Sequence, residues 1–109
     1  MESLKNYDSF KNVYNNGKSY ATSIIVMYVL KNNTSVNRLG ISVSKKVGNS
    51  VVRHRLTRLV RESYRNNERL FNSGLDIVVV AREKANTVKK CCEIEQAMLY
   101  LANKHKILM

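Results

Sequence analysis

Residues 42–64 read SVSKKVGNSVVRHRLTRLVRESY. Lys45 to Ser50 has the character of a loop, with Gly48 for backbone freedom, and Asn49 or Ser50 is placed to cap a helix that runs to about Leu70. At about 100° per residue, Val52, Leu56, Leu59, Val60, Tyr64 and Leu70 fall on one side. His54, Arg58, Arg61, Arg65 and Arg69 fall on the other. The helix has a dry face and a cationic face.

LDIVVVA (Leu75 to Ala81) follows Asn72-Ser73-Gly74 and is a continuous apolar run, the kind of strand buried on both sides at a sheet centre. A last amphipathic helix is expected from about Ala85 to Asn103. Upstream, Arg38 to Ser44 alternates, with Leu39, Ile41 and Val43 facing one way. Ser19 to Leu30 is rich in Ile, Val and Tyr, so two or three antiparallel strands are expected before the arginine helix. Tyr7, Phe10, Val13 and Tyr14 recur at helical spacing, Asn6 or Asp8 offers an N-cap and Gly17 a stop, which predicts a first helix from about Asp8 to Asn15. The order αβββαβα makes an α+β domain, one four-stranded sheet packed with helices, spanning 1–109.

The chain has 109 residues, and 19 Lys+Arg against 8 Asp+Glu give a net charge of +11. With 44% hydrophobic residues it can build a core, so a disordered basic tail is ruled out. The longest uninterrupted apolar stretch, Ile24 to Leu30, is far short of the ~18 residues that cross a bilayer. MESLKNYDSF lacks the pattern of a signal peptide, and a cytoplasmic protein without a membrane partner is expected. Cys91 and Cys92 are neighbours, a poor geometry for a disulfide, and two Cys with His54 and His105 make a poor zinc set. From Lys45 to Arg69 eight basic residues face only Glu62 and Glu68, so +6 of the +11 sits in 25 residues.

The eight acids are scattered, with no Asp-x-Asp or His-x-Glu arrangement, and no nucleophile, base and electrophile form a candidate set. No catalytic or metal-ligating residue is therefore expected. The positive signal is binding: arginines three or four apart present guanidinium forks to successive phosphates, the loop adds Lys45 and Lys46, and the helix start favours an anion. A face so charged repels itself without an anionic partner, which points to nucleic acid. Phe10, Tyr14, Tyr20 and Tyr28 are either core rings or stacking platforms for unpaired bases, and spacing alone leaves both open. Because Ile24 to Leu30 is apolar on both sides, one face is expected to cover helices and the other to form a partly open groove.

Residues 42–64 closely resemble the arginine-rich signature of the bacterial ribonuclease P protein subunit family. The upstream SFKNVYNNGKSYATSIIVMYVL and the downstream GLDIVVVAR extend that resemblance over essentially the whole chain. It implies a left-handed βαβ crossover in a fold similar to ribosomal protein S5 domain 2, and a partnership with a large catalytic RNA. In that family the RNA, with Mg²⁺, removes the 5′ leader of precursor tRNA, and a monomeric protein supports it. Carried over residue by residue, Lys45, Lys46, Arg53, His54, Arg55, Arg58, Arg61 and Arg65 match the basic loop and helix that contact the catalytic RNA. Phe10, Tyr14, Val26 and Tyr28 match the cleft that receives the leader. His54 stands where the family usually has Asn, and Thr57 where Lys is common. The competing readings are a ribosome-associated RNA-binding protein of similar fold, a stand-alone ribonuclease and a helix-in-groove DNA regulator. The last would need base-reading side chains that the arginine helix does not offer.

Overall fold

A strand with no polar face needs cover on both sides, and LDIVVVA receives it. In the computed structural model, which describes residues 2–109, the elements are β1 (Glu2–Ser3), α1 (Tyr7–Asn16), β2 (Lys18–Ala21), β3 (Ile25–Lys31), β4 (Arg38–Ser42), α2 (Ser50–Asn67), β5 (Leu75–Ala81) and α3 (Cys91–Lys104). Strand order is β1-β4-β5-β3-β2, so β5 is central. It pairs antiparallel with β3 and parallel with β4, the parallel pair being joined through α2.

The sheet has five strands rather than the four expected, and the order is βαβββαβα. The extra strand, Glu2–Ser3, carries no apolar alternation. It is held to β4 by main-chain bonds, Glu2 N–H to the Asn37 carbonyl at 3.1 Å and Leu4 N–H to the Leu39 carbonyl at 2.9 Å. The Ser19 to Leu30 region divides into two strands because the Thr22 hydroxyl accepts from the Ile24 and Ile25 N–H groups, each at 3.3 Å, and turns the chain.

Period-two alternation sorts β3 between two environments. Ile25, Met27 and Val29 are buried in the larger core with Leu39, Ile77 and Val79, beneath Leu56, Val60 and Tyr64 of α2 and Ile94, Met98 and Leu101 of α3. Val26, Tyr28 and Leu30 face the opposite side and are half-buried. There α1 covers the sheet only in part: Val13 is its one fully buried residue, packed with Leu4 and Val78. The partly open second face expected from the sequence is present.

Both long N-terminal caps form as the sequence predicts, the Asn6 side chain accepting from Ser9 N–H at 2.8 Å and Asn49 from Val52 N–H at 3.0 Å. Gly48 keeps a φ outside the left-handed region, and its role is room: a Cβ there would lie 2.8 Å from Val52. The α-helix expected to reach Leu70 ends at Asn67, where the chain tightens into a 3₁₀ turn over Glu68–Leu70. Leu70 is consequently 39% exposed instead of joining the dry face. The final helix starts at Cys91 and not near Ala85, because Glu83–Thr87 is a 3₁₀ turn that buries Ala85. The Glu93 carboxylate then accepts from the Lys89 and Lys90 N–H groups at 3.0 and 3.1 Å, and those bonds hold its pKa below the ordinary range.

At the end of α3, His105 sits with Nε2 2.8 Å from the Met27 carbonyl and its ring edge-on to Tyr20. Burial pushes its pKa down against the opposing effect of the Met27 bond, and Lys18 adds to the lowering. A histidine kept neutral by the fold contributes stability that is complete above its unfolded value, near pH 6.5, and is lost as the pH falls below it. The melting temperature should therefore drop as the pH falls below about 6.5, and this part of the drop should vanish in His105→Gln.

Candidate nucleic-acid interface

Two neighbouring surfaces collect the residues that the sequence singled out. The first is the outer face of α2. Leu56, Leu59, Val60 and Tyr64 turn inward, which leaves Arg58, Arg61 and Arg65 exposed one turn apart. Arg53, His54, Arg55, Thr57, Arg58 and Arg61 line one open groove with Val43, Ser50 and Val51. Among the described residues none of these arginines is ion-paired, and the Arg38–Asp76 pair lies apart from them. The Nε atoms of Arg53 and Arg55 are buried without a hydrogen-bond partner. Unpaired guanidinium groups aligned on a rigid helix are suited to a polyanion, because each fork can meet a phosphate bidentately. Thr57 contributes no charge, and its hydroxyl donates back to the Arg53 carbonyl at 2.9 Å.

The remaining basic residues of this group lie apart from the groove. Lys45 is an exposed turn residue. Lys46 lines a separate hollow with Ser23, Ser44, Arg82, Glu83 and Lys84, beside the carboxyl ends of β4 and β5. Arg65 continues the helix row beyond the groove lining. Arg69 leaves the row with the 3₁₀ turn, where its Nη1 donates to the Asn66 carbonyl at 3.3 Å.

The second surface is the gap between α1 and the sheet. Tyr7, Phe10, Lys11, Tyr14, Asn15, Ile41 and Ser42 line it. Phe10 packs closely on β4 because Gly40 has no side chain: a Cβ at that position would come within 2.7 Å of the ring. Phe10 and Tyr14 have centroids 6.3 Å apart, and Tyr14 meets Tyr28 edge-on at 4.9 Å, so the three rings form one run. Val26 and Tyr28 stand on the same sheet face, opposite Val80 and Val78, and neither lines the gap itself; Tyr28 reaches it through its contact with Tyr14. Tyr20 is elsewhere, on the α3 side of the sheet.

Sequence reasoning missed Tyr7, Lys11 and Asn15 in this gap. Tyr7 shares the helical spacing of Phe10, Val13 and Tyr14, yet it is 76% exposed at the helix start. Its signal was the seven-residue separation from Tyr14, which places both near one stripe. Arg82 and Lys84 were also missed, because an isolated Arg-Glu-Lys after a strand has no pattern to mark it.

Among the described residues no three His, Cys, Asp or Glu side chains converge on one point, and no helix is long and apolar enough to cross a membrane. What the geometry provides is a cationic groove next to an aromatic gap on a rigid sheet. Comparison with known proteins gives the family. The family model described as Ribonuclease P matches residues 1–106. A ribonuclease P protein component of Lachnoclostridium phytofermentans is 63% identical over 98% of this chain and 91% of its own length. That of Alkaliphilus metalliredigens is 47% identical over 96% of this chain and 94% of its own. Among solved structures, the RNase P protein of Staphylococcus aureus superposes with a TM-score of 0.90 at 30% identity, covering 100% of this chain and 99% of that one. The RNase P protein of Thermotoga maritima gives 0.86 at 31% identity, covering 95% and 97%. With residues 1–106 matched by the family model and its fold shared with these proteins, the chain belongs to the ribonuclease P protein family.

Proposed function

We infer that the chain is the protein component of a ribonuclease P ribonucleoprotein, which removes the 5′ leader of precursor tRNA to give the mature 5′ end. The observation that carries this reading is the α2 groove, where Arg53, His54, Arg55, Arg58 and Arg61 converge without a carboxylate partner. These residues, with Lys45, Lys46 and Arg65, grip the catalytic RNA subunit. The phosphodiester is hydrolysed in that RNA. In this reading Mg²⁺ is bound mainly by that RNA, whose phosphates supply the hard oxygen ligands it prefers. The protein joins as a monomer in the cytoplasm, and the β4–α2–β5 connection is the left-handed crossover that presents the arginine face. Reconstitution tests this reading. RNA-free protein with precursor tRNA and Mg²⁺ should give no cleavage, and adding a bacterial ribonuclease P RNA should give cleavage at the mature 5′ end at a lower Mg²⁺ concentration than the RNA needs alone. Turnover by the protein by itself would overturn it.

The gap under α1 receives the leader in this reading, because the leader, unlike the paired acceptor stem it adjoins, offers unpaired bases for Phe10, Tyr14 and Tyr28 to stack on, with Val26 on the same face. Tyr28 is half-buried, which leaves ring surface for a ligand. Tyr28→Ala should lower holoenzyme affinity for precursor tRNA by about 1–3 kcal/mol, the worth of one base stack, and hardly alter binding of leaderless tRNA. Binding assays on both substrates check this, and equal losses would assign Tyr28 to packing.

A further inference from the structure

At the sheet edge farthest from β1, a second cationic and aromatic surface has no part in either site above. β2 is the outermost strand there, with Lys18 exposed and Tyr20 half-buried. α3 packs over β3 and β2, and its last turn and a half brings Tyr100 and Lys104 to the same edge. The Lys104 ammonium lies 5.5 Å from the centre of the Tyr20 ring and 5.7 Å from that of Tyr100, so one cation is shared between two rings. Tyr20 is fixed in turn by His105, whose ring meets it edge-on at 4.7 Å while Nε2 is anchored on the Met27 carbonyl. His105 also borders a hollow lined by Lys31, Asn33, Thr34 and Lys106, which continues the basic surface around the end of β3.

The charge balance here is one-sided. Among the described residues Lys18, Lys31, Lys104 and Lys106 form no ion pair. Tyr100 is 54% exposed, so most of a large ring is presented to water beside an ammonium that no carboxylate neutralises. A ring flanked by unpaired lysines can take the π-face of a base and the phosphate attached to it. Duplex RNA hides its base faces and could use only the lysines. Because Lys104 reaches Tyr20 on β2, this surface lies on the side of α3 turned away from α2, and a strand held here is not the one gripped by the arginine groove.

The geometry points to a second RNA contact on the β2–α3 edge, at which an unpaired nucleotide stacks its base on Tyr100 and sets its phosphate against Lys104 and Lys18. It deepens the ribonuclease P reading by adding a surface for single-stranded RNA, and its test needs no cleavage, so the two can fail separately.

The test uses the full chain carrying Arg58→Ala, Arg61→Ala and Tyr14→Ala, which weakens both the α2 groove and the α1 gap and leaves the β2–α3 edge intact. The probes are a short oligouridylate with 5-bromouridine and a duplex RNA of the same length. Irradiation should place crosslinks on Tyr100 or Tyr20. Adding Tyr100→Ala should weaken binding of the single strand roughly tenfold, the size of one lost stack, and leave duplex binding and the melting temperature unchanged, while Tyr100→Phe keeps the affinity. Lys104→Gln should reduce the steepness of the salt dependence for the single strand by about 0.7 unit. Crosslinks confined to α1 and α2, equal losses for single strand and duplex, or an unaltered affinity in Tyr100→Ala would each overturn the proposal.

Discussion

Arg38→Ala is expected to destabilise the chain by about 3–5 kcal/mol, the cost of leaving a buried charge without its partner. Asp76 is 1% exposed in the central strand. Its carboxylate accepts from Arg38 Nε at 2.7 Å and from the Asn32 amide at 2.9 Å, and Arg38 Nη2 completes a two-pronged contact. The two residues are register partners on β4 and β5, so the pair locks the parallel strands at one end of the face that α1 covers. The hydrogen bond to Asp76 is also the chief reason that the Arg38 pKa is raised. The guanidinium is partly open to water while the carboxylate is not, so the change on the arginine side is the damaging one. Removing both charges with Arg38→Met and Asp76→Leu should recover much of the loss, because the buried ion then disappears together with its partner. Urea unfolding at constant slope measures it, and a loss below about 1 kcal/mol would show that solvent reaches the carboxylate.

The second large effect concerns binding alone. Arg58→Ala with Arg61→Ala should reduce affinity for the RNA subunit about a hundredfold, taking each charge-assisted contact at about 1.5 kcal/mol. The salt dependence should lose close to two units of slope, one for each phosphate no longer neutralised. Stability should be unchanged, because both side chains are exposed opposite the buried Leu56, Leu59, Val60 and Tyr64. Filter binding across a salt series, with a melting curve for each protein, separates the two quantities. An unchanged slope would mean that these arginines do not touch phosphate.

What was legible in the sequence was whatever is periodic. LDIVVVA gave its boundaries to the residue, Leu75–Ala81, because an apolar run between a glycine turn and Arg82 has few other solutions. The two faces of α2 were readable for the same reason, up to the point where Leu70 fits the helical period and yet lies in a tighter turn. Pairing that rests on main chain alone left no trace, as with Glu2–Ser3. The gap under α1 was half legible: the rings at Phe10, Tyr14 and Tyr28 were visible, but the glycine that seats Phe10 comes from a strand thirty residues away, and only the folded chain brings the two together. Asp76 carried a signal that was not used. An acid inside a strand buried on both sides requires a cation beside it, and Arg38 supplies one.

The central position of β5 also governs the order in which the molecule can be assembled during synthesis. Before residue 75 is made, β1 with β4 and β2 with β3 are two separate ribbons, and each lacks the neighbour that joins it to the other. Isolated two-stranded ribbons are marginal in water, and neither has yet received α3, which completes the larger core. A ribosome must therefore expose nearly the whole polypeptide before a cooperative unit exists. The nascent chain carries its row of arginines, already synthesised, through that interval with no fold to present them.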